Sequence, residues 1–128
     1  MKVNHYERVD QAAVDMEGAV GCRVRWLIGK NENAPNFAMR QYEVAVGGNT
    51  PKHSHPYEHE VFVLEGEGVV LEGDVEHPLN SGDVVYVRPD ELHQFRNTGN
   101  VPFKFLCLVP NSALGKNVNV TPECGKEC

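Results

Sequence analysis

The stretch HSHPYEHE, residues 53–60, places three histidines within seven positions of the chain. His53 and His55 lie two residues apart, and side chains at that spacing on a β-strand point to the same face. His59 follows the turn-forming stretch 56–58, so it can begin the next strand and face the first pair. The pattern therefore predicts two consecutive strands that direct three imidazoles toward one site.

A fourth histidine, His93 in the run RPDELHQFRN, comes 34 residues after His59 and must arrive on a distant strand. Neutral imidazoles suit divalent transition metals. We predict one divalent ion per chain, Mn or Fe in the cell, with Ni, Cu or Zn able to displace it because affinity rises along that series. The predicted ligands are His53, His55, His59 and His93. The other two histidines, His5 and His77, are predicted to be solvated.

These residues also carry a resemblance to the cupin family. Residues 47–66, G-x5-H-x-H-x3-H-x6-G, resemble the first cupin motif, G-x5-H-x-H-x3/4-E-x6-G. Residues 82–97, G-x5-R-P-D-x2-H-x3-N, resemble the second, G-x5-P-x-G-x2-H-x3-N. The segments APNFAMR and FLCLVP are similar to small single-domain cupins of the manganese-binding kind, in which four histidines hold the metal. The resemblance implies an all-β jelly-roll barrel, the double-stranded β-helix.

The departures from the family pattern are specific. Arg88 and Asp90 replace a proline and a glycine of the second motif, and Pro89 lies one step late. These are turn positions, which vary in the family. His59 stands where the first motif has glutamate, and this change removes a negative charge from the site.

The longer spacing of the first motif would make Glu60 the ligand in place of His59. Neighbouring residues on a strand face opposite ways, so only one of the two can coordinate. Val61 and Val63 share the parity of His59 and suit an interior, which favours His59. Glu58 and Glu60 flank it, and either can accept a hydrogen bond from an imidazole N–H.

Composition narrows the function classes. The 128 residues fit one domain, and 18 acidic residues outnumber 12 Lys and Arg without any extended basic cluster, which predicts no nucleic-acid partner. No apolar run approaches the ~20 residues of a membrane span, so no membrane partner is expected. Residues 1–15 lack the apolar region of a signal peptide, and we predict a cytoplasmic protein. Its cysteines are then expected to be free, although Cys124-x3-Cys128 can close a disulfide or bind a metal.

Turn-forming residues divide the chain into short β-rich runs, a spacing typical of an all-β sandwich or barrel. The predicted strands are residues 22–28, 36–46, 60–66, 69–73, 83–87, 93–97 and 103–109. Only Gln11–Glu17 can form a short helix, and the segment around His77 is predicted to be a loop. The expected organisation is an N-terminal arm (1–20), a barrel (21–110) and a polar, extended or partly disordered tail (111–128).

Alternation assigns strand faces and two further candidates. In residues 38–46, Arg40 shares its parity with the apolar Tyr42, Val44 and Val46, whereas Gln41 takes the other. An inward guanidinium needs a partner, so Arg40 either reaches water at the rim or meets the oxygen of a bound ligand. In residues 103–109, Lys104 should point outward. The inward set is then Phe103, Phe105, Cys107 and Val109.

The inward parity gives Cys107 two interpretations. It is either a small apolar filler, the usual role of a buried free cysteine, or part of a cavity wall beside the metal. In the second case Arg40, Phe105 and Cys107 line a pocket where Arg40 steers an anion and Cys107 oxidises readily. We therefore take Arg40 and Cys107 as candidate catalytic residues.

Four neutral imidazoles leave the charge of a divalent ion uncompensated, so the predicted site attracts anionic oxygen ligands. The leading hypothesis is a metal-dependent oxygenase or oxidase that acts on a small organic molecule. The alternatives are a non-redox isomerase, lyase or hydrolase, in which the metal polarises a carbonyl, and a non-catalytic module that binds a small ligand or a metal. No nucleophilic Ser-His-Asp or Cys-His set is evident.

The parity of residues 59–65 also bears on assembly. If Val61 and Val63 face in, Phe62 and Leu64 face out, and with Trp26 and Leu27 they form too apolar a surface to leave in water. Edge strands need cover as well. We therefore predict a symmetric homodimer.

Overall fold

The computed structural model describes residues 1–111 and 119–120, and these residues form eleven strands and no α-helix. The strands are β1 (Gln11–Ala13), β2 (Val20–Ile28), β3 (Phe37–Asn49), β4 (His53–Ser54), β5 (His59–Glu65), β6 (Gly68–Glu72), β7 (Val75–Leu79), β8 (Val84–Val87), β9 (His93–Asn97), β10 (Phe103–Pro110) and β11 (Asn119–Val120). Short 3₁₀ turns lie at Tyr6–Arg8 and Lys30–Glu32.

The strands form two wings of one curled antiparallel sheet, joined through the long strand β3. In the first wing the order is β1-β2-β3-β10-β5-β8. In the second, β9 pairs with β4 and with β6, and β11 and β7 extend the two sides. Asn49 of β3 pairs with Arg96 of β9. The predicted all-β barrel is thus confirmed.

Strict alternation on β5 and β10 builds much of the core. Val61 and Val63 are buried, whereas Phe62 and Leu64 are exposed. The four inward residues predicted on β10 are buried, and Lys104 is only half-buried between Glu43 and Glu65. The rings of Tyr42, Phe105 and Phe95 stack in sequence, with centroids 5.4 and 4.7 Å apart. These rings hold the two wings together below the histidines.

The end of β3 departs from the predicted parity. Val46 is exposed, because the pairing of β2 with β3 shifts register between Val20 and Cys22 and Gly47 adopts φ +77°. A side chain on Gly48 would lie 2.4 Å from the carbonyl oxygen of Val20, so the strand needs glycine where it bends. The inward prediction for Val46 is therefore wrong.

One local prediction on the first wing also fails, and one outer residue is buried. Gln11–Ala13 forms β1 against Arg23–Arg25, so the short helix predicted for this segment is wrong. Gln41 lies on the outer parity as predicted and yet is buried, in register with Arg25. The Arg25 guanidinium donates to the carbonyl of Val9, which fixes the N-terminal segment against this part of the sheet.

The segment around His77 is strand β7 and not a loop, because it forms a hairpin with β6 through the turn at Gly73. Pro78 is tolerated because β7 is paired only with β6 among the described strands. The predicted extended tail is described only at Asn111, whose N–H donates to the Asn36 carbonyl, and at Asn119–Val120, which pairs with β4. Cys124 and Cys128 lie outside the described residues. No helix in residues 1–111 or 119–120 is long and apolar enough to cross a membrane.

Candidate metal site

The fold brings the four predicted histidines together on its inner face. His53 of β4 is the direct pairing partner of His93 of β9, although the two lie 40 positions apart in the chain. His55 follows β4, and His59 is the first residue of β5, opposite Val87. All four side chains are at most 2% exposed, and one ring nitrogen of each lies within 4.8 Å of the others.

Hydrogen bonds to main-chain carbonyls orient two of the rings. The Nδ1–H of His55 donates to the Tyr57 carbonyl at 2.8 Å, and that of His93 donates to the Glu91 carbonyl at 2.8 Å. A carbonyl only accepts, so each Nε2 keeps a lone pair. The Tyr57 ring also stacks on His55, with centroids 4.0 Å apart. These contacts present Nε2 of both histidines to the centre of the cluster.

The remaining nitrogens suit a metal. Neither ring nitrogen of His53, nor Nε2 of His93, has a hydrogen-bond partner among the described residues, although all are buried. Nε2 of His59 lies 2.5 Å from Nε2 of His55. Buried polar atoms normally find partners, and an ion coordinated by one nitrogen of His53 and by Nε2 of His93 would give each of these two side chains a partner. The donor set therefore fits a divalent transition metal.

Burial keeps the cluster neutral. Loss of solvent lowers the pKa of His53 to about 2, with a further contribution from the neighbouring His93. The same cause lowers the pKa of His55 to about 4 and holds that of His59 well below its ordinary value. The pKa of His93 is also lowered, again mainly by burial. Lone pairs are thus available for a metal at neutral pH.

Arg40 lies directly behind this cluster and is 3% exposed. Its guanidinium donates to the Tyr42 hydroxyl at 2.8 Å and to Cys107 Sγ at 3.2 Å, and lies 3.4 Å from His59 Nδ1. It also faces the rings of Trp26 and Tyr42, each at 5.2 Å. The interpretation of Arg40 as a rim residue that reaches water is therefore wrong.

Trp26, which the sequence places with Leu27 in an exposed apolar surface, is 39% exposed although it lies on the inner parity of the sheet. It pairs in register with Arg40, and its ring covers the guanidinium. The half-buried Leu27 follows it at a register shift between Trp26 and Ile28. A strand that changes register here cannot keep one parity along its length.

Cys107 lies beside the cluster, as its parity predicts. Its Sγ is 3.1 Å from His59 Nδ1, and the side chain is 2% exposed. Burial raises the pKa of this thiol, against the opposing influence of the Arg40 guanidinium. Sγ contacts the side of His59 that faces away from the other three histidines, so it is a neighbour of the cluster.

Glu58 and Glu60 do not accept hydrogen bonds from the histidines, contrary to the role predicted for them. Glu60 is exposed on the outer face, in register with Tyr86 and Leu108. Partial burial, and then the hydrogen bond with Glu58, raise the pKa of Glu60 to about 7. The rings of His55 and His93 donate to main-chain carbonyls instead, and a sequence motif does not show which main-chain carbonyl a ring will contact.

A cleft of about 390 Å³ leads to the cluster between the β6–β7 hairpin and β8, and His93 forms part of its wall. Its other walls are mainly apolar: Val70, Leu79, Val85 and Val87. Charged side chains surround the rim, where His77 Nε2 donates to Glu72 at 2.8 Å and Arg88 donates to Glu91 at 2.9 Å. His77 is exposed, as predicted, but it belongs to this rim. The predicted pocket residues Arg40, Phe105 and Cys107 line the barrel interior elsewhere.

The curled antiparallel sheet and the buried cluster of four histidines place the chain in the class of small β-barrels with an internal histidine site. Residues 40–109 match the Cupin_2 family, whose description is the cupin domain. The chain therefore belongs to the cupin family, and its fold is the jelly-roll barrel that the motif resemblance implied.

Solved structures show the same fold over most of the chain. The chain is 27% identical to the polyketide cyclase RemF from Streptomyces resistomycificus, with a TM-score of 0.87 over 96% of this chain and 89% of that one. It is 34% identical to a cupin 2 domain-containing protein from Halorhodospira halophila, with a TM-score of 0.74 over 79% of this chain and 70% of that one.

Among curated proteins, the chain is 34% identical to the oxalate-binding protein of Thermotoga maritima, over 49% of this chain and 53% of that protein. It is 31% identical to the 1-methylthio-D-xylulose 5-phosphate methylsulfurylase of Rhodospirillum rubrum, over 79% of this chain and 65% of that protein. The chain spans about half the length of the first curated relatives it matches.

Proposed function

We propose that this cupin is a metal-dependent enzyme that binds the anionic oxygen of a small carbonyl compound and promotes its enolisation without redox chemistry. The observation that carries the proposal is the buried cluster of four neutral histidines, which contributes no negative charge of its own. The proposed metal ligands are His53, His55, His59 and His93. A divalent ion held there would polarise a bound carbonyl.

The chain's own residues supply the remaining requirements. Apolar side chains along the cleft exclude water beside His93, and low polarity strengthens electrostatic contacts in the site. The buried guanidinium of Arg40 adds positive charge behind His59, which favours an anionic ligand over a cationic one. Because Nε2–H of His77 donates to Glu72, Nδ1 of His77 is the atom that would accept a proton at the rim.

The likeness to a polyketide cyclase over nearly the whole chain supports this reading, since ring closure of a polyketide begins with an enolisable carbonyl. The relative described as an oxalate-binding protein supports an anionic oxygen ligand. The substrate of this chain is proposed only by that chemical class.

Exchange of the methyl protons of pyruvate in deuterated water tests the proposal. Zn(II)-loaded protein should accelerate this exchange, measured by proton NMR, beyond Zn(II) in buffer and beyond metal-free protein. Oxalate, which cannot enolise, should inhibit it. His77→Gln should slow exchange with unchanged metal content, and His5→Gln should change neither quantity. Exchange no faster than with Zn(II) in buffer would overturn the proposed reaction and favour a non-catalytic binding module.

Oxygenase or oxidase chemistry is the second candidate. The observation that favours it is the burial of the cluster among apolar side chains, which protects reactive oxygen species from water. Uptake of O₂ by Mn(II)- or Fe(II)-loaded protein across a panel of enolisable acids, and oxidation of Cys107 detected by mass spectrometry, would support it. Catalysis of pyruvate exchange without O₂ uptake or thiol oxidation would reject it.

We also propose a homodimer formed through the outer face of β5 and β8. Phe62 pairs in register with Val84 there, and their exposed fractions are 44% and 73%. We expect light scattering at micromolar concentration to give the mass of two chains. Phe62→Glu should give one chain, because it places a charge in the patch, whereas Val46→Glu, at an exposed valine outside it, should not. A wild-type mass of one chain would contradict the dimer.

A further inference from the structure

The ring of His59 is held differently from those of His55 and His93. Those two donate through Nδ1 to main-chain carbonyls. Nδ1 of His59 instead faces two side-chain groups, Cys107 Sγ at 3.1 Å and Arg40 Nη2 at 3.4 Å. All three side chains are at most 3% exposed, so solvent does not compete for this contact.

The chemistry of these groups decides which one can pair with His59 in the metal-loaded protein. Nε2 of His59 lies against Nε2 of His55 at the centre of the cluster, so Nε2 is the atom that would bind a metal. Nδ1 then carries the hydrogen. A guanidinium nitrogen only donates, and a cysteine sulfur can accept. Of the two neighbouring groups, Cys107 Sγ is therefore the acceptor.

We propose that Cys107 is a positioning residue, whose Sγ accepts the hydrogen bond of His59 Nδ1–H and thereby fixes the ring orientation with which Nε2 meets the metal. Arg40 supports this arrangement, because its Nη2 donates to the same sulfur at 3.2 Å. The inference rests on the proposed metal site. In this role Cys107 neither coordinates the metal nor merely fills space in the core.

The proposed role predicts a measurable change in metal affinity. Partners that orient a metal-bound histidine typically change metal affinity by about 10–100-fold when they are removed. Main-chain carbonyls cannot be removed by substitution, so the partners of His55 and His93 are inaccessible to this test. The sulfur of Cys107 can be removed.

Cys107→Val and Cys22→Val form a matched pair. Cys22 is also a buried free cysteine on the inner parity of the sheet, opposite Val44, and it makes no hydrogen bond to the four histidines in the part of the chain described. Both variants remove a buried thiol and should shift the thermal stability of the metal-free barrel similarly. Only Cys107→Val should weaken Co(II) binding, by about 10–100-fold in competition with a chelator, and alter the visible spectrum of bound Co(II).

Cys107→Ser provides the rescue, because a hydroxyl also accepts a hydrogen bond from Nδ1–H. Its Co(II) affinity and spectrum should lie closer to those of the wild type than to those of Cys107→Val. Equal affinities for Cys107→Val and Cys22→Val, or a serine variant no better than the valine variant, would overturn the positioning role and leave the metal site intact. Failure of the wild type to bind Co(II) would instead overturn the metal site itself.

Discussion

Substitution of His59 by alanine is expected to abolish stoichiometric metal binding, whereas Glu60→Ala should leave the metal content of the protein unchanged. His59 is 1% exposed, and its Nε2 faces His55, whereas Glu60 lies on the outer face beside Tyr86. Removal of one of four imidazoles takes away a full coordinate bond and leaves a hydrophobic gap in its place. The expected loss in affinity is therefore larger than the 10–100-fold effect of an orienting partner.

The comparison is decisive because the two residues are adjacent in the chain. Metal per chain should be measured by mass spectrometry after expression in a medium with defined Mn and Fe, and again after dialysis against Zn(II). A Glu60→Ala protein that loses its metal while His59→Ala retains it would make Glu60 the ligand, as the longer cupin motif allows. Metal content before any exchange also answers whether Mn or Fe is held in the cell.

The local pattern of HSHPYEHE was sufficient to predict which side chains meet, because strand alternation and a turn are short-range rules. His53 lies on β4, His55 follows that strand with its ring centroid 5.1 Å from that of His53, and His59 begins the next strand. The pairing of His53 with His93 required the fold as a whole. Resemblance to the cupin motifs supplied it, since alternation alone does not say which distant strands become neighbours.

The assignment of strand faces by alternation was wrong where the pairing of the strands is irregular. Val46 lies next to the register shift between Val20 and Cys22 on the paired strand β2, and its side chain is exposed instead of buried. β7 was missed because Pro78 and His77 are typical of loops, yet an edge strand tolerates proline. The arm, barrel and tail boundaries and the cytoplasmic location stay predictions.

Arg40 shows a different limit of sequence reasoning. Its inward parity was correctly predicted. The two predicted partners, water and a bound ligand, did not include Tyr42 and Cys107, to which the guanidinium donates. Tyr42 was known to share its face and Cys107 to lie on the same side of another strand. Cys107 on β10 pairs with Arg40 on β3, so the two side chains lie side by side. The order of strands in the sheet is a tertiary property, and the spacing of residues along the sequence does not determine it.

Acid is expected to destabilise the metal-free protein strongly, beginning well above the pH at which carboxylates are protonated. Burial lowers the pKa of His53 to about 2 and of His55 to about 4, whereas both would titrate near 6.5 in the unfolded chain. Below pH 6.5 the unfolded state therefore binds protons that the folded state does not. Each such histidine lowers the free energy of unfolding by about 1.4 kcal/mol per pH unit until its folded pKa is reached.

Urea unfolding of metal-free protein at pH 7 and pH 5 measures this effect. Glu60 acts in the opposite direction, because its pKa of about 7 lets the folded protein bind a proton first, so the measurement is made in a Glu60→Gln background. His53→Asn, which cannot be protonated, should reduce the loss of stability between the two pH values. At pH 7, metal at about 100 times its dissociation constant should add about 2.7 kcal/mol, and this gain should remain at pH 5, because His53 and His55 are still neutral in the folded state there. A free energy of unfolding that is equal at pH 7 and pH 5 would show that the four histidines are not held neutral by burial.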